Sequence, residues 1–232
     1  MGTFQAAPFL DLTKSFELNL QKANILQIPT LATRLAVDKS GSMDEEFRCG
    51  WVDHAIQLFL VAAMKFDDDG RLEVGFFNND LHCVRDMTQT DINAHIPFTQ
   101  AVGQHAGGGT CYSPVIEGMA DYNKSGIFQR FLGRTGRNDK KCESYLGMIT
   151  DGDCGDFDKF ESELRKVTGS FVQIIAIGNQ VTLGPLRLLE QELDHINVMH
   201  LPDPYSVTHD KFYEHLCNPA FKNWLDTYGE QK

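Results

Sequence analysis

Asp38, Ser40 and Ser42 stand at alternate positions just where the apolar run Leu35–Val37 breaks off. In extended backbone, residues i, i+2 and i+4 point the same way, so one carboxylate and two hydroxyls can converge above a strand end. All the donors are oxygens, the chemistry that hard divalent cations such as Mg2+ prefer, with Mn2+ accepted by the same kind of site. Three oxygens make half an octahedral shell. Two further stretches can add to it. Thr110 closes the glycine run Gly107–Gly109, whose backbone can approach closely, and Asp151 follows the apolar run SYLGMIT, residues 144–150. Asp38 and Asp151 would supply the attraction that hydroxyls lack, and acids gathered at one edge would repel each other without a cation. Gly109, Asp153 and Asp156 are candidates for the surrounding shell, Asp153 and Asp156 either adding negative field or lying in a solvated loop. Each piece has a plainer reading: Asp38–Ser42 as a strand end with a helix cap, the glycines as a hinge. The glycine run lacks the GxxxxGK[ST] pattern of a phosphate-binding loop.

These residues need elements to carry them. Leu31–Val37 reads as a first core strand, and Val52, Ala55, Ile56, Phe59, Leu60 and Ala63 form one helical stripe that should end near Phe66, before the DDDG turn. RLEVGFF and LHCVRDM read as strands on either side of an NND turn. A weak helix is expected over 90–103 and another over about 114–124, with Pro114 at its first position. SYLGMIT and FVQIIAIG are continuous apolar runs, the mark of strands buried on both faces. Helices near 157–167 and 184–193, a strand INVMH, and a helical tail broken at Pro219 complete the chain. Strands alternating with helices predict an α/β, doubly wound, mainly parallel sheet with helices on both faces, a Rossmann-like architecture that binds ligands at the C-terminal strand edge. The N-terminal segment differs. LDLTK and FELNLQK alternate like half-exposed strands, which predicts a short β-rich extension over residues 1–30 ahead of a domain over 31–232.

Composition narrows the partners. The net charge of −11 repels nucleic acid and anionic membrane. The start of the chain has no signal-peptide pattern, and no apolar stretch is long enough to span a bilayer. Six dispersed cysteines without a CxxC pair suit free thiols in the cytoplasm. Eight histidines include no HExxH, and the run Asp67–Asp69 lacks the spacing of a calcium loop. His105 is the histidine nearest in sequence to the candidate site. Arg130, Arg134, Arg137, Lys140 and Lys141 form a local basic stretch that should lie away from it.

The set Asp38-x-Ser40-x-Ser42, Thr110 and Asp151, in that order on an alternating α/β chain, resembles the metal-ion-dependent adhesion site of von Willebrand factor A domains. The resemblance covers residues 31–201 and extends towards the C-terminal helix. KFDDDGRLEVGFFNN, with LQKANI and LAVDKSGSM before it, is similar to the A domain of TerF-type proteins linked to tellurium resistance. FLDLTKSFELNLQK resembles TerD-like strands, though no complete TerD-like domain is present. The resemblance implies a six-strand sheet with five parallel strands and one short antiparallel edge strand. It implies Mg2+ held directly by the serines and, in one state, the threonine, with the aspartates acting largely through water. A Glu or Asp from a protein partner would take the open position, making a binding module rather than a catalyst, within a tellurium-resistance or stress response. The alternative is a Mg2+-dependent phosphatase similar to haloacid dehalogenases, with Asp38 as nucleophile. That chemistry needs a second acid two residues on as proton donor, where this chain has Ser40.

Overall fold

Six strands, β1 (Ala32–Asp38), β2 (Leu72–Phe77), β3 (Leu81–Met87), β4 (Ser144–Thr150), β5 (Ser170–Ile177) and β6 (Ile196–Leu201), form one sheet in the order β3-β2-β1-β4-β5-β6. The structure is a computed structural model that describes residues 9–27, 30–67, 70–92, 98–120, 143–152, 154–179 and 181–228. All neighbouring strands are parallel except β2 and β3, which are antiparallel across the Asn78–Asp80 turn. This is the doubly wound architecture expected from the alternation. Every residue of β1, β4 and β5 is buried, as strands covered on both faces require. The chain leaves β1 towards β2 on one side and later inserts β4 on the other. The order therefore reverses between β1 and β4, the place where such sheets open a crevice at their C-terminal edge.

One face of the sheet carries helices α1 (Phe9–Lys22) and α3 (Trp51–Phe66), which follows the short α2 (Asp44–Arg48). Alternate residues of β1, Leu35 and Val37, pack into this layer, while Ala36 faces the other. α3 lies close to the sheet because β4 offers Gly147: a Cβ there would fall 2.4 Å from the ring of Phe59. Short helices α4 (Gln89–Ile92) and α5 (Phe98–Ala101) follow β3 and occupy part of the weakly helical stretch expected over 90–103. The opposite face carries α6 (Ser113–Met119), α7 (Phe157–Leu164) and α8 (Leu183–Glu192) through Tyr112, Val115, Met119, Phe160, Leu164, Leu186 and Leu189. The tail forms α9 (His209–Leu216) and α10 (Pro219–Tyr228), divided at Pro219 as expected, and returns to the α3 face.

The N-terminal β extension is not found. Phe9–Lys22 is a single helix. Its buried residues, Leu12, Ser15, Phe16, Asn19 and Leu20, step by three and one, the helical stripe. The leucines that suggested strand alternation divide between core and solvent: Leu12 and Leu20 are buried, Leu10 and Leu18 exposed. Tertiary contacts decide the outcome. Phe16 stands 5.5 Å from Phe66 and 5.1 Å from Tyr213 between ring centroids. Ser15 Oγ and Asn19 Nδ2 donate to Asp210 Oδ1 at 3.0 and 2.9 Å. Among the described residues no helix is long and apolar enough to cross a membrane. Cys49, Cys111, Cys154 and Cys217 carry free thiols. The basic stretch 130–141, His95, Cys142, Asp153 and residues 68–69 lie outside the described residues, as does the end of the helix expected over 114–124.

Candidate functional site

Asp38 ends β1 and Thr150 ends the adjoining β4, so the site lies at the reversal of strand order. Asp38 is fully buried. Its Oδ1 accepts the amide N–H of Ser40 at 2.7 Å, and its Oδ2 accepts the hydroxyl of Thr150 at 2.6 Å. Burial pushes its pKa from 3.8 up to about 6, against the pull of those bonds, and Asp151 adds to the rise. The Ser40 and Ser42 hydroxyls are 3.1 Å apart, and Ser42 Oγ donates to Asp151 Oδ1 at 2.9 Å. Asp151 is likewise raised by burial, with the Ser42 bond opposing.

The third loop comes from the glycine run. Gly107 N–H donates to the Lys39 carbonyl at 2.6 Å, and Gly41 N–H donates to the Gly108 carbonyl at 3.2 Å, so the loop lies directly over the Asp38–Ser42 turn. Asn78, in the turn just after β2, clamps it: its Nδ2 donates to the Gly107 carbonyl at 2.8 Å and its backbone carbonyl accepts Cys111 N–H at 2.8 Å. Gly108 has φ +93°, and a Cβ there would lie 2.7 Å from Asn78 Nδ2. This position needs glycine on both counts. The Thr110 carbonyl accepts Gly155 N–H at 2.8 Å, tying the loop to the segment after β4. A Cβ on Gly152 would lie 3.3 Å from Thr110 Oγ1 and 3.9 Å from Ser42 Oγ, so a side chain there would crowd both hydroxyls.

The fold thus gathers Asp38, Ser40, Ser42, Thr110 and Asp151 from three loops into one place. The donor set is two carboxylates and three hydroxyls. Among the described residues neither carboxylate forms an ion pair with Lys, Arg or His. Burial without a counter-charge is costly for a carboxylate. Among the described residues no three His, Cys, Asp or Glu side chains group to hold a metal, so an oxygen-seeking cation here would depend on the hydroxyls to complete its shell.

The surrounding residues divide differently. Asp156 is neither a solvated loop residue nor aimed at the cluster. It accepts the amides of Tyr112 and Ser113 at 2.8 and 3.1 Å and the thiol of Cys154 at 3.0 Å, fixing the start of α6. Burial pushes its carboxyl up, but donors from Ser113, Cys154 and Tyr112 outweigh it and hold the pKa below the ordinary value. A Cβ on Gly109 would fall 2.6 Å from Asn79 Oδ1, the end of an exposed side chain that can turn aside, so nothing at this position requires glycine. His105 is exposed. Sequence reasoning missed Thr150, Asn78 and Tyr112, whose hydroxyl donates to the Gly152 carbonyl at 2.7 Å. Thr150 was within reach, since it is the one hydroxyl at the end of an apolar run beside a candidate ligand. Asn78 and Tyr112 carry no such signal, because their roles arise from the folding of distant loops.

Comparison with known proteins is consistent with this architecture. Residues 30–232 match the family described as the von Willebrand factor A domain found in the TerF C terminus. The chain is 23% identical over 223 residues to YcbR of Bacillus subtilis (strain 168), covering 94% of this chain and 86% of that protein. Among solved structures it is similar to proximal thread matrix protein 1 from the mussel byssus, at 16% identity and a TM-score of 0.53 over 81% of this chain and 48% of that one. The same byssus protein with a zinc-occupied MIDAS motif aligns at 15% identity and a TM-score of 0.50, over 81% of this chain and 47% of that one. At that identity the likeness is one of fold, and this chain spans about half the length of the byssus protein.

Proposed function

Because the chain belongs to the TerF-type family of von Willebrand factor A domains, we propose that it is a metal-dependent protein-binding module. Asp38, Ser40, Ser42, Thr110 and Asp151 would hold a divalent cation, Mg2+ or Mn2+, and a partner would supply a Glu or Asp. The observation that carries this reading is the convergence of the two carboxylates and the hydroxyls from three loops, with the Asp38 and Asp151 charges unmatched by any cationic side chain among the described residues. Bound there, the cation would supply positive charge to offset both carboxylates and to attract an anionic ligand. The chain's own residues do the positioning. Thr150 and the Ser40 amide fix the Asp38 carboxylate. Ser42 orients Asp151. Asn78 holds the glycine loop so that Thr110 stays near Gly152. The zinc-occupied motif of the byssus protein supports a divalent ion in this fold. The free thiols support a cytoplasmic setting, and the TerF description supports a place in tellurium resistance or stress response.

The phosphatase alternative has less support. A nucleophilic carboxylate must reach its substrate, but Asp38 is fully buried and both its oxygens already accept hydrogen bonds. Position 40 offers a hydroxyl, a poor general acid at neutral pH.

Calorimetric titration of the wild type with Mg2+ and Mn2+ should give saturable binding, abolished in Asp38→Ala and in Asp151→Ala, with no phosphatase turnover in the same samples. Binding that persists in both variants would sink the metal site, and turnover dependent on Asp38 would replace the binding module with an enzyme.

A further inference from the structure

The turn after β2 links the glycine loop to a residue outside the oxygen cluster. His82 lies on the edge strand β3 at a break in the register. Gly75 pairs with Val84 and Phe76 with His82, so β3 carries one extra residue. Such a bulge re-aims the side chains beside it and is frequent next to functional sites. Here the half-buried His82 ring meets Asn78, with 2.8 Å between Nε2 and Oδ1. The other end of the amide fixes the roles in that bond. Asn78 Nδ2 faces the Gly107 carbonyl at 2.8 Å, and a carbonyl can only accept. Oδ1 is therefore the acceptor, and His82 Nε2 carries the hydrogen. The Asp80 amide also donates to Oδ1, but at 3.4 Å, so His82 makes the shorter bond. Beyond Asn78 the bonds close into a ring. Gly107 N–H donates to the carbonyl of Lys39, the neighbour of Asp38, and Lys39 N–H donates to the Phe77 carbonyl at 2.7 Å, next to Asn78. This ring binds the β1 loop, the glycine loop and the end of β2. Asn78 supplies its one side chain, and His82 orients that side chain.

We propose that His82 is a positioning residue for the candidate metal site, acting through Asn78 to hold the glycine loop, and with it Thr110, over the Asp38–Ser42 turn. Its effect on a metal rests on the metal-site reading above, whereas the ring of hydrogen bonds stands without it. The glycine run has no side chains of its own with which to fix its path, so its order depends on what grips its backbone. Without the His82 donor only the long Asp80 contact remains on Oδ1, and the Asn78 amide is free to leave the Gly107 carbonyl. Ordering the loop and the Thr110 hydroxyl would then be charged to metal binding, which lowers affinity without removing a ligand.

The test titrates Mg2+ calorimetrically into the full chain and into three variants. His82→Leu and the smaller His82→Ala both remove the donor, and His82→Gln places an amide nitrogen near where Nε2 stands. His82→Leu and His82→Ala should each weaken Mg2+ about tenfold, the scale of losing a group that orients a metal site from outside it. His82→Gln should restore most of the affinity. In an Asn78→Ala background His82→Leu should have no further effect, because a residue that acts through another loses its effect with it. A second readout needs no metal. Exchange of the Gly41, Gly107 and Cys111 amide hydrogens, all bonded across the loop, should be about tenfold faster in His82→Leu and rescued in His82→Gln. Wild-type affinity in both donor-free variants overturns the proposal. So does a His82→Gln protein as weak as His82→Leu, or a further loss in the Asn78→Ala background. Absence of saturable Mg2+ heat in the wild type would instead sink the metal-site reading. The exchange rates then decide the role of His82 by themselves, and unchanged rates in His82→Leu overturn it.

Discussion

Asp38 is the fully buried carboxylate of the candidate site, and its environment is unusual for a carboxylate. Its charge is supported by one amide and one hydroxyl, and its pKa is pushed up to about 6. Thr150 is therefore a positioning residue. Thr150→Val keeps the shape of the side chain but removes the donor to Oδ2, leaving a buried acceptor unsatisfied. In metal-free protein above pH 7 this should cost about 1–3 kcal/mol, measured as a lower urea midpoint at unchanged slope. The same variant should bind Mg2+ more weakly, because the carboxylate is no longer held. An unchanged midpoint would mean that Asp38 does not depend on Thr150. Asp38, Ser40 and Ser42 were legible as candidates because their alternate spacing puts three oxygen donors on one side of a strand end, and Asp151 because it follows the buried run SYLGMIT. Thr110 was legible only through its glycines. The packing of Asp156 against the start of α6 was not legible, since the residues it serves are more than forty positions earlier in the chain.

At the scale of elements, the strands and the helix α3 follow from the pattern of apolar residues, because burial on both faces leaves continuous runs and burial on one leaves a stripe. The helix α1 shows where the pattern misleads. LDLTK and FELNLQK alternate well enough for strands, but neither edge of the sheet, β3 or β6, takes them up. The helix instead buries Phe16 against Phe66 of α3 and Tyr213 of α9. Phe16→Ala should cost about 3–5 kcal/mol, the range for deleting a fully buried aromatic side chain. Leu18→Ala, on the exposed side of the same helix, should cost well under 1 kcal/mol. Denaturant unfolding of the two variants checks this: equal, small effects would mean that α1 is not part of the core.

Across the whole molecule, stability depends on pH through a group far from the site as well as through its carboxylates. His54 of α3 is buried, and burial, with the charge of His209 adding to it, lowers its pKa from 6.5 to about 4. A depressed histidine is neutral in the folded chain but charges when unfolded, so unfolding takes up a proton. Its contribution is complete above pH 6.5 and is lost as pH falls towards 4. Between pH 7.5 and 5 the wild type should lose about 2 kcal/mol from this group. His54→Gln should remove that part of the slope, read from urea midpoints at the two pH values; an unchanged slope would assign the acid sensitivity to other groups. What the sequence determined by itself was the class of fold and the residues of the candidate site, because apolar periodicity and oxygen-donor spacing are local properties that survive without coordinates. Only the tertiary structure decided that the N-terminal segment is helical, that Thr150 holds the Asp38 carboxylate and that Asn78 holds the glycine loop over it. Those outcomes depend on which distant surfaces meet, and the energy of a contact between residues far apart in the chain is not written in the spacing of either one.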